Sequence, residues 1–199
     1  MTHEITFATS NKGKALSMQR HIDRLGIDAI IIQAPLELTE PQADTATEVA
    51  QAKAKQAYAQ LKKAVLVDDS SFHISALGGF PGPYIKYMLS TIGIEGIIDF
   101  MKDKTDRSAY FLSSLVYIDD QGDEHVFSDA PYRGVITEAI DQYTSETAWS
   151  DLYKIFIPTG SDKVLARMTP DDHAKVDKKQ TNSYEEFCHW IKTVGYNDL

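Results

Sequence analysis

Two adjacent carboxylates, Asp68 and Asp69, close a short apolar run, Ala64-Val65-Leu66-Val67. Carboxylates so placed can hold a hard divalent cation, or orient a water and take its proton. The run is long enough for one buried strand. Side chains alternate along a strand, so one aspartate can face into the sheet and the other outward. At the carboxyl end of a parallel strand, an outward carboxylate opens into the crevice where α/β proteins bind ligands. Downstream, Gly78-Gly79-Phe80-Pro81-Gly82-Pro83 is a turn with free backbone at its glycines and fixed φ at its prolines. Pro83 suits the first turn of a helix over residues 84–89, whose start can hold an anion beside Lys86. A similar corner stands at the N-terminus, where Ser10-Asn11-Lys12-Gly13-Lys14 joins a strand to a helix and Lys14 can reach an anion at the helix start. A plainer reading fits the same residues on spacing alone: a solvated turn, an ordinary loop and a solvated lysine.

The elements that must hold these residues follow from periodicity. Residues 4–9 read as a strand. The helix after it carries Ala15, Met18, Ile22 and Leu25 on one face and stops at Gly26. Residues 27–32, rich in isoleucine, read as a second strand, and 35–42 as an extended loop. Thr45 and Glu48 form a capping box for a helix reaching about Lys63, with Ala50, Ala54, Ala57 and Leu61 buried and Lys53 toward the edge. Residues 92–103 read as a helix with Ile94, Ile97, Ile98 and Met101 apolar. Residues 109–118 form a long strand that turns at 119–123 and returns over 125–128. Another strand spans 132–137. A closing helix over 182–194, capped by Asn182 or Ser183, buries Phe187, Ile191 and Val194, with Cys188 and Trp190 flanking that row.

With 199 residues, the chain is large enough for one domain with a real core, and no linker, repeat or low-complexity tract divides it. Hydrophobic residues make up 43% and charged residues 25%, as in ordinary globular proteins. The net charge of −9 argues against duplex nucleic acid or an anionic membrane as the main partner. A nucleotide needs only a local basic pocket or a metal, so it stays admissible. A single cysteine, Cys188, permits no internal disulfide and fits a reducing compartment. The start of the chain does not read as a signal peptide, and no segment has the ~18 apolar residues of a membrane helix. The expected location is the cytoplasm.

The central stretch resembles the signature of the inosine triphosphate pyrophosphatase family, which hydrolyses non-standard purine nucleoside triphosphates. The matching residues are Asp68-Asp69-Ser70, then Ala76-Leu77-Gly78-Gly79-Phe80-Pro81-Gly82-Pro83-Tyr84 and Lys86. Thr9, Asn11 and Lys14 match the family's Thr-x-Asn-x-x-Lys motif in the right order. Arg107-Ser108-Ala109-Tyr110 and Arg133-Gly134 resemble landmarks of its antiparallel excursion. The resemblance implies an elongated two-lobed α/β fold around a central mixed sheet, with flanking helices and an active-site cleft between the lobes, in a single domain spanning 1–199. It implies a Mg²⁺-dependent hydrolase that cleaves a nucleoside triphosphate to the monophosphate and pyrophosphate, and a homodimer. Glu40 falls where the family places a metal-binding glutamate, and Lys53 where it places an active-site lysine. The expected site is then Glu40 and Asp69 on the metal, with Asp69, Asp68 and Lys53 at the reaction. Thr9, Ser10, Asn11, Lys14, Ser70 and Lys86 would lie on the substrate.

The base-binding end departs from the family. Its Phe-Gly-Tyr/Trp-Asp-Pro loop and its Ser-His-Arg triplet are both absent. Trp149 and Asp151 can replace the aromatic and the acid of the first, while Lys178 and Lys179 stand in the region of the second. A lysine cannot reproduce the planar fork of an arginine. Weaker discrimination for inosine and xanthosine triphosphates is therefore expected. The alternative is a nucleotide-binding protein of the same fold whose catalysis is lost or repurposed. The complete phosphate and metal set argues for the enzyme.

Overall fold

The computed structural model describes residues 2–128, 131–145, 148–177 and 182–194. In chain order the elements are β1 (His3–Phe7), α1 (Lys12–Arg24), β2 (Ala29–Gln33), α2 (Ala46–Leu61), β3 (Val65–Ile74), β4 (Pro81–Gly82), α3 (Ile85–Thr91) and α4 (Gly93–Phe100). They continue with β5 (Ser108–Ile118), β6 (Glu124–Ser128), β7 (Tyr132–Ile136), β8 (Phe156–Pro158), α5 (Pro170–Asp177) and α6 (Ser183–Val194). The sheet is mixed, with the order β2-β1-β3-β5-β7-β8, β4 beside β3 and β6 beside β5. β1 pairs in parallel with β2 and β3, whereas β3–β4, β5–β6, β5–β7 and β7–β8 are antiparallel. This is the mixed α/β architecture that the sequence implied. Among the described residues no helix is long and apolar enough to cross a membrane.

The chain forms two compact units. The first takes the described residues of Met1–Asp69, Ser113–Asp129 and Asn182–Leu199, and the second those of Ser70–Leu112 and Ala130–Thr181. Strands β3 and β5 each begin in one unit and end in the other.

In the first unit, helices cover both faces of the sheet, and the strand period decides which residue meets which helix. Phe7, Leu66 and Leu115 pack with Met18 and Ile22 of α1 and with Phe187 and Ile191 of α6. Val65, Val67, Val116 and Ile118 pack with Ala50, Ala54 and Ala57 of α2. The capping box of α2 forms as read: the Thr45 hydroxyl accepts from the Glu48 N–H, and the Glu48 carboxylate accepts from the Thr45 N–H, both at 3.2 Å. A cap of this kind contributes about 1 kcal/mol. In the second unit Phe72, Phe111 and Phe156 form the aromatic centre, with ring centroids 4.7–5.8 Å apart, enclosed by residues such as Ile97, Met101 and Ile136.

One element differs from its sequence reading in a way that bears on the site. The strand expected to close at Asp68-Asp69 runs on to Ile74. Four consecutive polar residues, Asp68-Asp69-Ser70-Ser71, resemble a turn, yet the strand continues because Phe72 and Ile74 are both fully buried at alternate positions. The aspartates therefore sit inside a strand, not at its end. The glycine- and proline-rich turn folds back onto this same strand, pairing His73 with Pro81 and Phe72 with Gly82. The helix expected over 84–89 starts at Ile85 and runs to Thr91, and the one expected over 92–103 is the shorter α4.

Candidate active site

The site in the first unit is built by β3 and three helices. Leu66 and Asp68 share one side of the strand, and Val67 and Asp69 the other. Asp68 thus falls on the side of α1 and α6, and Asp69 on the side of α2. Lys14, at the start of α1, brings its Nζ to 3.0 Å from Asp68 Oδ2. The Tyr184 hydroxyl of α6 donates to the same oxygen at 2.7 Å. The Asp68 carboxylate is 1% exposed. On the opposite side, Lys53 Nζ lies 2.9 Å from Asp69 Oδ1, 3.3 Å from the Asp68 carbonyl oxygen and 3.4 Å from Glu40 Oε1.

Each side chain is held by local structure. Asn11 caps α1, its Oδ1 accepting from the Lys14 N–H at 3.2 Å, while the Thr9 hydroxyl oxygen accepts from the Asn11 N–H at 3.1 Å. Those two residues shape the corner that carries Lys14, and Ser10 between them is exposed. Glu40 lies in the extended loop, which α2 grips through Gln56: the Gln56 amide donates to the Thr39 carbonyl at 2.8 Å and accepts from the Thr39 N–H at 2.9 Å. Gln56 and Lys53 are three residues apart on the helix, so the grip brings Glu40 to Lys53.

The electrostatics are those of a crowded, half-dry cluster. Burial penalises the Lys53 ammonium, but Asp69, then Glu40 and Asp68, more than offset this and hold it above the ordinary lysine value. For Asp69 the balance differs. Burial pushes its carboxyl up, Lys53 and Lys14 recover only part of that shift, and repulsion from Asp68 adds a little to the rise. The two directions agree once the sharing is counted: one ammonium serves three carboxylates, so the lysine gains more than any single acid. Two carboxylate oxygens already converge on one cation here, and both are the hard donors that Mg²⁺ prefers. Among the described residues no three His, Cys, Asp or Glu side chains cluster as a closed metal site.

The Ham1 family profile matches residues 5–188. The chain belongs to the Ham1 family. Among its Ham1 relatives, the dITP/XTP pyrophosphatase of Thermococcus kodakarensis is 31% identical over 188 residues, 94% of this chain and 97% of its own length. That of Methanopyrus kandleri is 33% identical, with 95% and 96% covered, and that of Pyrococcus horikoshii 33% identical, with 95% and 97% covered. The Ham1 protein of Staphylococcus aureus shares the fold at a TM-score of 0.74 and 22% identity, over 96% of this chain and 100% of that one. A Ham1 protein of Coxiella burnetii does so at 0.73 and 20%, over 96% and 99%.

Other expected Ham1 site residues lie in the second unit. Ser70 follows Asp69 in β3, and Lys86 is exposed in the first turn of α3. Trp149 is half-buried, its ring edge-on to Phe111 at 5.6 Å and to Tyr153 at 5.5 Å, so much of it serves the core. It also borders an open hollow with Tyr143, Ser145 and Lys154. Asp151 is exposed and pairs with Lys154 at 3.4 Å. Lys178 and Lys179 lie outside the described residues. Sequence reasoning missed Tyr184. Its signal was the spacing Tyr184, Phe187, Cys188, Ile191, a buried helical row that begins with a hydroxyl in need of a partner.

Proposed function

We propose that the chain hydrolyses nucleoside triphosphates, non-standard purine ones such as ITP, dITP and XTP, to the monophosphate and pyrophosphate. The observation that carries this is the Lys53 ammonium, held between Asp69 at 2.9 Å and Glu40 at 3.4 Å beside a second lysine–aspartate pair. Relatives bearing the name dITP/XTP pyrophosphatase over nearly the full length support it. In the reaction a water oxygen bonds to the α-phosphorus, the bond from that phosphorus to the bridging oxygen breaks, and pyrophosphate leaves. Asp69 orients the water and takes its proton. General-base catalysis of this kind contributes roughly 10²–10⁴ in rate. Lys53 fixes the Asp69 carboxylate, and Lys14 binds the phosphates. Asp68, buried against Lys14, positions that lysine. Glu40 and Asp69 would hold Mg²⁺, which when bound neutralises charge on the polyphosphate.

A non-catalytic nucleotide binder would have no need of carboxylates converging on Lys53, so the enzyme is preferred. The protein would act in the cytoplasm as a homodimer, a state that sedimentation would check. The test of function is product analysis with ITP and Mg²⁺. Equimolar inosine monophosphate and pyrophosphate are expected. Release of the diphosphate and orthophosphate, or no turnover of any nucleoside triphosphate, would overturn the reading.

A further inference from the structure

Asp68 is the most enclosed charge in the site, and its Oδ2 receives two donors from different helices: the Lys14 ammonium at 3.0 Å and the Tyr184 hydroxyl at 2.7 Å. We infer that Tyr184 is a positioning residue for the triphosphate-binding lysine, acting on Lys14 through the shared oxygen of Asp68. The inference rests on the role proposed above for Lys14.

The tyrosine is itself held in place. It is 9% exposed, and His21 of α1 meets its ring edge-on at 5.5 Å and 82°. His21 Nδ1 lies 2.8 Å from the Ser17 carbonyl oxygen, which can only accept, so that nitrogen carries the proton and the imidazole plane is set. Asn182 caps α6 by accepting from the Glu185 N–H at 3.0 Å, and Glu185 pairs with Arg24 of α1 at 3.5 Å. The first turn of α6 is thus locked to α1, and the phenol arrives at Asp68 without rotamer freedom to lose.

The consequence is competition for one ammonium. A triphosphate must draw Lys14 partly away from Asp68. A hydrogen bond from a neutral donor to a carboxylate lowers that carboxylate's demand for other donors. Without the phenolic hydroxyl, the buried anion leans harder on its remaining donors, Lys14 among them, and the lysine is less available to substrate.

The experiment uses the full chain as wild type, Tyr184→Phe, Lys14→Ala and the double variant. Steady-state kinetics with ITP and calorimetric binding of inorganic tripolyphosphate are measured in parallel, with thermal melts alongside. Tyr184→Phe keeps the ring and removes the hydroxyl. It should raise KM and the tripolyphosphate Kd about tenfold, the factor carried by roughly 1.4 kcal/mol, while kcat stays within about threefold. The double variant should bind no worse than Lys14→Ala, because both changes act on one group. If Tyr184→Phe lowers the melting temperature but leaves KM and Kd unchanged, its role is structural and the inference fails. Effects that multiply in the double variant would place the tyrosine's action elsewhere and overturn it too. If Lys14→Ala leaves tripolyphosphate binding unchanged, the phosphate-binding role fails first and takes the inference with it.

Discussion

Replacing Asp69 with asparagine separates charge from shape. The amide keeps the volume and one oxygen for the Lys53 ammonium, now 2.9 Å from Oδ1. Two stability terms then change with opposite signs. Burial raises the Asp69 pKa, so ionisation as pH rises through the folded value costs stability, and asparagine removes that cost. The raised Lys53 pKa contributes stability that is fully present below the lysine's unfolded value and lost as pH rises through the folded one. Asparagine removes the largest support for that raised value, leaving Glu40 and Asp68. At pH 7 the terms offset, and a net change within about 1.4 kcal/mol, one pKa unit's worth, is expected. For a chain of this size that is a melting shift of at most roughly 3–6 °C. Turnover behaves differently: loss of the base should reduce kcat by about 10²–10⁴. Pyrophosphate release from ITP gives kcat, and scanning fluorimetry gives the melting temperature. A kcat within about threefold of wild type would show that the charge of Asp69 is not at the reacting centre. A melting temperature lower by more than about 10 °C would show that the pair is mainly structural.

Four further outcomes are expected. Excess EDTA should abolish turnover and added Mg²⁺ restore it, since the convergent donors are carboxylates; full activity in chelator would refute a metal at Glu40 and Asp69. Lys53→Ala should reduce mainly kcat and Lys14→Ala mainly raise KM, and steady-state kinetics showing the reverse split would exchange their roles. Because the family's base-binding motifs are absent, kcat/KM for ITP should exceed that for GTP and ATP by less than about a hundredfold; a larger ratio would mean other residues rebuild the pocket. Burial pushes the Cys188 thiol up to about 12, so only roughly one molecule in ten thousand is thiolate at pH 8. Ellman's reagent should then leave the folded chain unlabelled and titrate one thiol in guanidinium, whereas stoichiometric labelling of the folded chain would contradict this burial.

Much of the fold was legible because several helices carry their own signals, whereas α5 and the short β8 were not anticipated. The Thr45–Glu48 box and the Ala50, Ala54, Ala57 row mark where α2 starts and which side is buried, and both are observed. The places of Lys14 and Lys53 were legible as well, Lys14 at the start of α1 and Lys53 at the edge of the buried row of α2. What failed was local polarity taken as a boundary: Asp68-Asp69-Ser70-Ser71 hid the continuation of β3, because sheet neighbours decide whether a polar run stays extended. Tyr184 escaped for a different reason. Its partner is 116 residues away, and no local pattern reports which carboxylate a phenol will meet.

The back-to-back placement of Asp68 and Asp69 makes the site sensitive to parity. Each aspartate is served from its own layer, Asp68 from α1 and α6, Asp69 from α2. Shifting the register of β3 by one residue would present each carboxylate to the wrong layer and turn Val65, Leu66 and Val67 over with them. A change of two residues would restore the facing while displacing it along the strand. The facing of both carboxylates is thus fixed by the register of this one strand, and only register shifts of even number preserve it.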